Sequence, residues 1–384
     1  MGNISHLNEH ILVLKVDDAF AVWFGASRKF MMLEEPAFFV LRQIVENKTL
    51  EIISTQCCER YQNPVENCRQ FVDEVNEITQ QYISPDKADT DEEFHQFSET
   101  GFESSFYSVK TYSVGQFLFR IKYGDRGLEA VIHPLISQFE NVGDKNLFHE
   151  FEIFRNTEKL VFLADHKILE TLGSDQTGYL KAAVLLKILE ILYGKRKDDW
   201  MMTLHAAAVT DGACAIVFPA KAGSGKSTLS ALLHAHGFQL LSDDFLAMDF
   251  VNKKVYPLPV AATIKEGSLN VLSPYYPELR KIPVEHAYTG KQVRYLSVNK
   301  SFIPNEGYLV KHFVFVVYLP DSICTLNEIP QKVALKKLLE ETWINPKPSV
   351  VAEFFEWFDK TRFFELQYSE TSDATEVVSK LFKE

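Results

Sequence analysis

Gly223-Ser224-Gly225-Lys226-Ser227-Thr228 puts two glycines, a lysine and hydroxyl side chains into one short segment. With Ala220-Lys221-Ala222 before it, the segment follows the G-x-x-x-x-G-K-[ST] phosphate-loop pattern, with Ala220 at the first glycine position. Glycines let a backbone curl until its N–H groups converge on phosphate oxygens. A helix start adds the positive end of its dipole. Lys226 can bridge the β- and γ-phosphates, and the Ser227 hydroxyl can ligate a shielding magnesium. The candidate nucleotide-binding residues are therefore Ala222, Gly223, Ser224, Gly225, Lys226, Ser227 and Thr228. Lys221 reads as a solvated loop lysine.

Two further features stand close by. Ser242-Asp243-Asp244 offers paired carboxylates. One such acid can hold magnesium and the other can accept the proton of an incoming hydroxyl. His205 lies in the apolar run Thr203–Val209, which favours a partly buried histidine near the same sheet end. In isolation, such a histidine reads as a core residue.

These residues need elements to hold them. Ala213–Phe218 is an apolar run suited to a buried strand, and Leu229–His236, closed by Gly237, reads as a helix. The phosphate loop thus joins strand to helix, the context its pattern requires. Gln239–Leu241 is a short strand that ends at the acid pair.

The rest of the chain reads as two folded parts. Ile11–Val16, Ala19–Phe24 and Lys29–Leu33 are strands. Helices follow at Glu35–Val45, with Pro36 in its first turn, then from Thr49 to Tyr61, and after Asn63-Pro64. Ser84–Glu103 is dominated by Asp and Glu and reads as a solvated linker. Phe106–Val131 reads as a hairpin with a Gly124–Gly127 turn, and Gly178–Tyr193 as a helix stopped by Gly194. Towards the C-terminus the pattern gives a strand at Phe313–Tyr318, helices at Val333–Thr342 and Val350–Asp359, a strand at Phe363–Tyr368 and a helix at Asp373–Phe382.

His205, Gly225-Lys226-Ser227-Thr228, His236-Gly237-Phe238 and Leu241-Ser242-Asp243-Asp244 resemble the HPr kinase/phosphorylase family and its diverged relatives. The likeness is close from His205 to Asp244 and weaker out to Tyr256-Pro257-Leu258-Pro259 and Lys265. It implies a phosphoenolpyruvate-carboxykinase-like core, ATP and Mg2+ as cofactors, and transfer to a serine. It also implies that Asp243 handles the hydroxyl proton with His205 beside it, that Lys226 shields charge, and that Asp244, with Ser227, ligates the metal. The family's Glu- and Arg-Gly-rich downstream segment is absent. Lys265, Glu266 and Arg294 are candidate replacements near the transferred phosphoryl group.

Ile11–Tyr82 resembles a PqqD-like peptide-recognition domain. That resemblance implies capture of a precursor-peptide leader as an added strand along Arg28, Lys29, Phe30, Met31 and Met32. A winged-helix-like packing module without a ligand is the plainer alternative.

Composition sets the bounds. The chain has 384 residues, 46% of them hydrophobic and 24% charged, as in a soluble globular protein. A net charge of −12 argues against a nucleic-acid partner. The five cysteines lack zinc-ribbon spacing and read as reduced thiols. No apolar run is long enough for a membrane span, and the polar N-terminus lacks a signal-peptide core, so the expected location is the cytoplasm.

The expected fold class is α+β / α/β. A winged-helix-like module of three strands and three helices at residues 1–83 is followed by the acidic linker at 84–103. A P-loop kinase domain with a mixed sheet fills 104–384. The expected function is serine (or threonine) phosphorylation of a captured precursor peptide. A small-molecule hydroxyl kinase and a non-catalytic nucleotide-binding protein are the alternatives. A homo-oligomer is compatible with the sequence.

Overall fold

The computed structural model describes residues 3–85, 106–141, 149–221, 223–258, 260–286, 290–298, 304 and 306–383. Ala222, Pro259 and most of the expected acidic linker lie outside the described residues. The architecture is mixed α/β and separates into two compact units. One comprises Met1–Gln96, Ile329–Glu340 and Ile344–Phe363, and the other Phe97–Glu328, Glu341–Trp343 and Phe364–Glu384.

The first unit is built on an antiparallel sheet of four strands in the order β1 (Ile4–Asn8), β2 (Ile11–Val16), β3 (Ala19–Phe24) and β4 (Lys29–Glu34). Helices α1 (Glu35–Val45), α2 (Leu50–Tyr61) and α3 (Val65–Ile83) begin as expected, with Pro36 in the first turn of α1 and Thr49 capping α2. The expectation of three strands misses β1. Ser5, His6 and Asn8 are polar and exposed, and only Ile4 and Leu7 are apolar, so its pairing with β2 leaves little apolar signal.

A larger difference lies at the C-terminal end. The helices Gln331–Glu340 and Pro348–Asp359 belong to this first unit, although the sequence assigned them to the second. Both faces of β2 and β3 are apolar, and a sheet with two apolar faces must be covered on both. On one face Ile11, Val13, Val22, Phe24 and Leu33 pack with Leu41 of α1. On the other, Trp23 stands opposite Leu12 and Phe30, and the Phe30 ring meets Phe354 and Phe355 at 6.3 and 6.0 Å between centroids. The β2–β3 turn also holds the helix Gln331–Glu340: the Lys332 backbone N–H donates to Asp17 at 2.8 Å, and its Nζ reaches Asp18 and Glu34 at 3.3 and 2.5 Å.

The second unit opens with a five-stranded sheet in sequence order: β5 (Ser108–Val114), β6 (Phe117–Tyr123), β7 (His149–Asn156), β8 (Lys159–Ala164) and β9 (Lys167–Gly173). The expected hairpin ends at Tyr123, because residues beyond Gly124 form helix α4 (Arg126–Ile136), capped by the Asp125 carboxylate. Helix α5 (Thr177–Tyr193) ends at Gly194 in the left-handed conformation, as expected.

A ten-stranded mixed sheet follows. It begins with β10 (Trp200–Leu204), β11 (Ala206–Thr210), β12 (Ala215–Pro219), β13 (Gln239–Ser242), β14 (Leu246–Asp249) and β15 (Lys254–Tyr256). A small sheet, β16 (Ala262–Lys265), β17 (Glu285–His286) and β18 (Gln292–Leu296), interrupts it. It is completed by β19 (Tyr308–Tyr318), β20 (Thr325–Glu328), β21 (Thr342–Ile344) and β22 (Phe363–Tyr368). The main path runs β13-β11-β12-β19-β15-β14-β10-β21, and β12 pairs parallel with β19. Helix α6 (Lys226–Ala235) returns over β11 and β13, and its Leu229, Leu232 and Leu233 join a core with Val209, Phe218 and Leu240.

None of the five cysteines is in a disulfide. Among the described residues no helix is long and apolar enough to cross a membrane.

The two-sided burial of the first sheet generates a stability prediction. Phe354 is fully buried, so Phe354→Ala should cost about 3 to 5 kcal/mol of unfolding free energy in the first unit. Chemical denaturation followed by Trp23 fluorescence would measure it, and a loss below about 1 kcal/mol would contradict the packing described.

Candidate phosphoryl-transfer site

Strand register brings the chemistry to one end of the ten-stranded sheet. Ala206 at the start of β11 pairs with Pro219 at the end of β12, and Ala208 pairs with Ser242 at the end of β13. The start of β11, the 220–228 loop and the acid pair therefore share one edge. His205 occupies the bend between β10 and β11 and is not inside a strand, as its run suggested.

The loop is shaped by two glycines. Gly223 and Gly225 have φ of 99° and 97°, a region that other residues enter only with strain. Gly225 is the N-cap of α6, so the helix begins at Lys226 with no side chain satisfying its first N–H groups. The Tyr318 N–H donates to Ser224 O at 3.0 Å, and the Tyr368 hydroxyl lies 3.4 Å from Gly225 O. The Ser224 Oγ is buried without a hydrogen-bond partner. A curled backbone, an uncapped helix start and an orphaned hydroxyl together suit an oxyanion.

Lys226 is nearly buried and points inward. Its Nζ donates to Ala220 O at 3.1 Å, lies 2.6 Å from His205 Nε2, and is 4.0 Å from Asp244 Oδ1. His205 Nε2 is also 2.8 Å from Asp244 Oδ1, and Nδ1 is 2.7 Å from Glu341 Oε2. Lys181 of α5 closes the cluster at 2.5 Å from Asp244 Oδ2. Asp243, Asp244 and Glu341 thus face Lys181, Lys226 and His205, and a protonated His205 brings the group to formal neutrality.

The titration tendencies follow from these contacts. Burial pushes the Lys226 ammonium down, against the pull of Asp244, Asp243 and Glu341. Burial also disfavours the charged imidazole of His205, but hydrogen bonds to Asp244 and Glu341 raise it overall. Burial opposes the Asp244 carboxylate, yet Lys181, His205 and Lys226 hold it well below the usual range. Asp243 is raised by its burial and by Asp244, against the Thr263 N–H, Lys226 and the Ser227 hydroxyl.

The two acids therefore differ in surroundings. Asp243 is 1% exposed, accepts from the Thr263 N–H at 2.9 Å and contacts the Ser227 hydroxyl. Asp244 is the acid beside His205. His205 is expected beside Asp243, but its ring meets the second acid of the pair, Asp244.

Other expected residues sort as follows. Thr228 bonds the Ser268 hydroxyl at 2.6 Å. Lys221 is exposed. Lys265 is lowered by burial and Lys291, while Asp243 and Asp244 act the other way, which places it within electrostatic reach of the acids. Arg294 is drawn to Glu266 at 2.7 Å and to Ile282 O at 3.1 Å. In the first unit, Lys29, Phe30, Met31 and Met32 lie on β4 at the sheet edge, and Arg28 is in the preceding turn with φ of 56°.

Lys181 and Glu341 escaped the sequence reading. They lie 63 and 136 residues from the side chains they contact, too far for any local pattern. A lysine on the mostly apolar face sequence of α5 was the one available signal for Lys181.

No family model matches the chain, and no curated protein does. Among solved structures, the Hpr(Ser) kinase/phosphatase from Coxiella burnetii is similar over 47% of this chain and 93% of that one, at 13% identity and a TM-score of 0.23. A superposition this loose transfers no residue roles and no reaction to this chain.

The loop geometry separates its two glycines. A Cβ on Gly225 would come within 2.5 Å of the Tyr368 hydroxyl, whereas one on Gly223 would meet nothing within 4 Å. Gly225→Ala should therefore abolish ATP binding, and Gly223→Ala should weaken it by the backbone strain of about 1 to 2 kcal/mol, roughly ten-fold. Calorimetric titration with ATP checks both, and equal affinities for the two variants would contradict the described loop.

Proposed function

We propose that the chain is an ATP-dependent kinase that moves the γ-phosphoryl group to a hydroxyl, most naturally that of a serine. The observation that carries this reading is the convergence of Lys226, His205 and two unlike carboxylates at the uncapped start of α6. Phosphoryl transfer asks a protein mainly for positioning and charge shielding, and this cluster supplies both.

The contacts favour exchanging the roles first expected for the acids. Asp243 and the Ser227 hydroxyl form an oxygen-donor pair that would hold Mg2+, a hard cation that takes such ligands beside phosphates. When bound, that ion neutralises phosphate charge. Asp244 is already faced by Lys181, Lys226 and His205, cations that oppose a metal ion beside it. In the resting site those cations keep it weakly basic. Phosphates draw Lys226 towards themselves, which removes one cation from Asp244 and strengthens it as a base. Lys181 and His205 then remain beside it.

The acceptor we favour is a serine on a ribosomally made precursor peptide, held as an added strand on the edge of β4. A small-molecule acceptor is the second reading. It is favoured by the packing of Phe30 against Phe354 and Phe355, which leaves a peptide the strand edge but not that face.

The two carboxamide variants test the roles. Asp244→Asn should lose transfer by about 100-fold or more with ATP affinity kept, as expected for loss of a general base. Asp243→Asn should raise the magnesium concentration needed for half-maximal rate. Initial rates over a magnesium series measure both. The opposite pattern would return the base role to Asp243.

A further inference from the structure

Glu341 reaches the site from a short excursion. The helix Gln331–Glu340 stops immediately before it, where the sequence predicted continuation to Thr342. Residues 341–343 belong to the second unit, while the segments on both sides belong to the first. At this one point the chain grips His205 twice. The His205 N–H donates to Glu341 O at 2.8 Å, and Nδ1 lies 2.7 Å from Glu341 Oε2. The Glu341 side chain is 10% exposed, so its carboxylate is nearly withdrawn from water.

We propose that Glu341 is a positioning residue that fixes the ring orientation of His205 and keeps a proton on its Nδ1. The physical argument starts from the bend. His205 lies between strands that pair with different neighbours, so no ladder on either side sets its side-chain angle. A lone imidazole there could rotate and exchange its two nitrogens. The Glu341 carboxylate accepts only, so the nitrogen facing it must be the protonated donor. With Nδ1–H committed to Glu341, Nε2 is the nitrogen presented to Asp244 and Lys226. The backbone bond holds the base of the same side chain, so ring and main chain are fixed by a single residue. A carboxylate behind a working histidine is worth about 10- to 100-fold where such pairs serve metal sites.

The effect on rate rests on the proposed kinase reading, but the ring geometry does not. The test uses full-length protein with isotope-labelled histidine and reads the imidazole nitrogen shifts, with the His205 signals assigned by loss in His205→Gln. In the wild type, Nδ1 should carry the proton. Glu341→Gln should take the proton off Nδ1, leaving the Nε2–H form that faces Asp244, and lower kcat about 10- to 100-fold with KM for ATP unchanged. Glu341→Asp, which keeps the charge, should keep Nδ1 protonated and restore part of the rate. Unaltered His205 nitrogen shifts in Glu341→Gln would overturn the proposal, and so would a rate loss confined to KM. If the wild type transfers no phosphate to any acceptor tried, the kinase reading falls alone, and the nitrogen shifts still decide the role of Glu341.

Discussion

An ammonium buried beside an imidazole is the constraint around which the second unit is arranged. Lys226 is 5% exposed, and a lysine in that position is tolerated only if its charge is met. Asp244, Glu341 and the Ala220 carbonyl meet it, and each comes from a different part of the chain. The cluster needs the crossing of β10 and β11 to place His205, the end of β13 to place the acids, and the excursion at 341–343 to place Glu341. An ion network of this kind adds little to stability, since desolvation offsets most of its attraction. Its cost fits the proposed site, in which phosphates would draw Lys226 away.

That readiness links structure to reaction. Lys226 is engaged by protein groups, and Asp244 is held weakly basic by the cations around it. In the proposed reaction, phosphate binding and base strengthening would be two sides of one movement of charge. The same coupling would restrain wasteful proton transfer before the nucleotide is in place.

Much of this was legible in the residues. The strand, glycine loop and helix around Lys226 follow from apolar runs and a spaced motif, and the structure places them within a few residues of the expected bounds. Helices α1 to α3 follow from capping residues and period. The parts that were not legible, Lys181 among them, depend on long-range contacts. Glu341 follows a helix and carries no local mark. The return of Gln331–Glu340 and Pro348–Asp359 to the first unit was hidden too, although β2 and β3 held a clue. Leu12, Leu14, Ala21 and Trp23 are apolar alongside Ile11, Val13, Val22 and Phe24, so both faces of that sheet asked for cover. Three helices could cover one face, and the second needed a partner from elsewhere in the chain.

The central claim is that the cluster at the start of α6 is a phosphate site. Calorimetric titration of the full-length protein with ATP, ADP, AMP and adenosine, each with and without magnesium, tests it most directly. The account predicts that affinity falls steeply as phosphates are removed, that adenosine does not bind measurably, and that magnesium strengthens ATP most. Equal binding of adenosine and ATP, or no binding of ATP with magnesium, would contradict it.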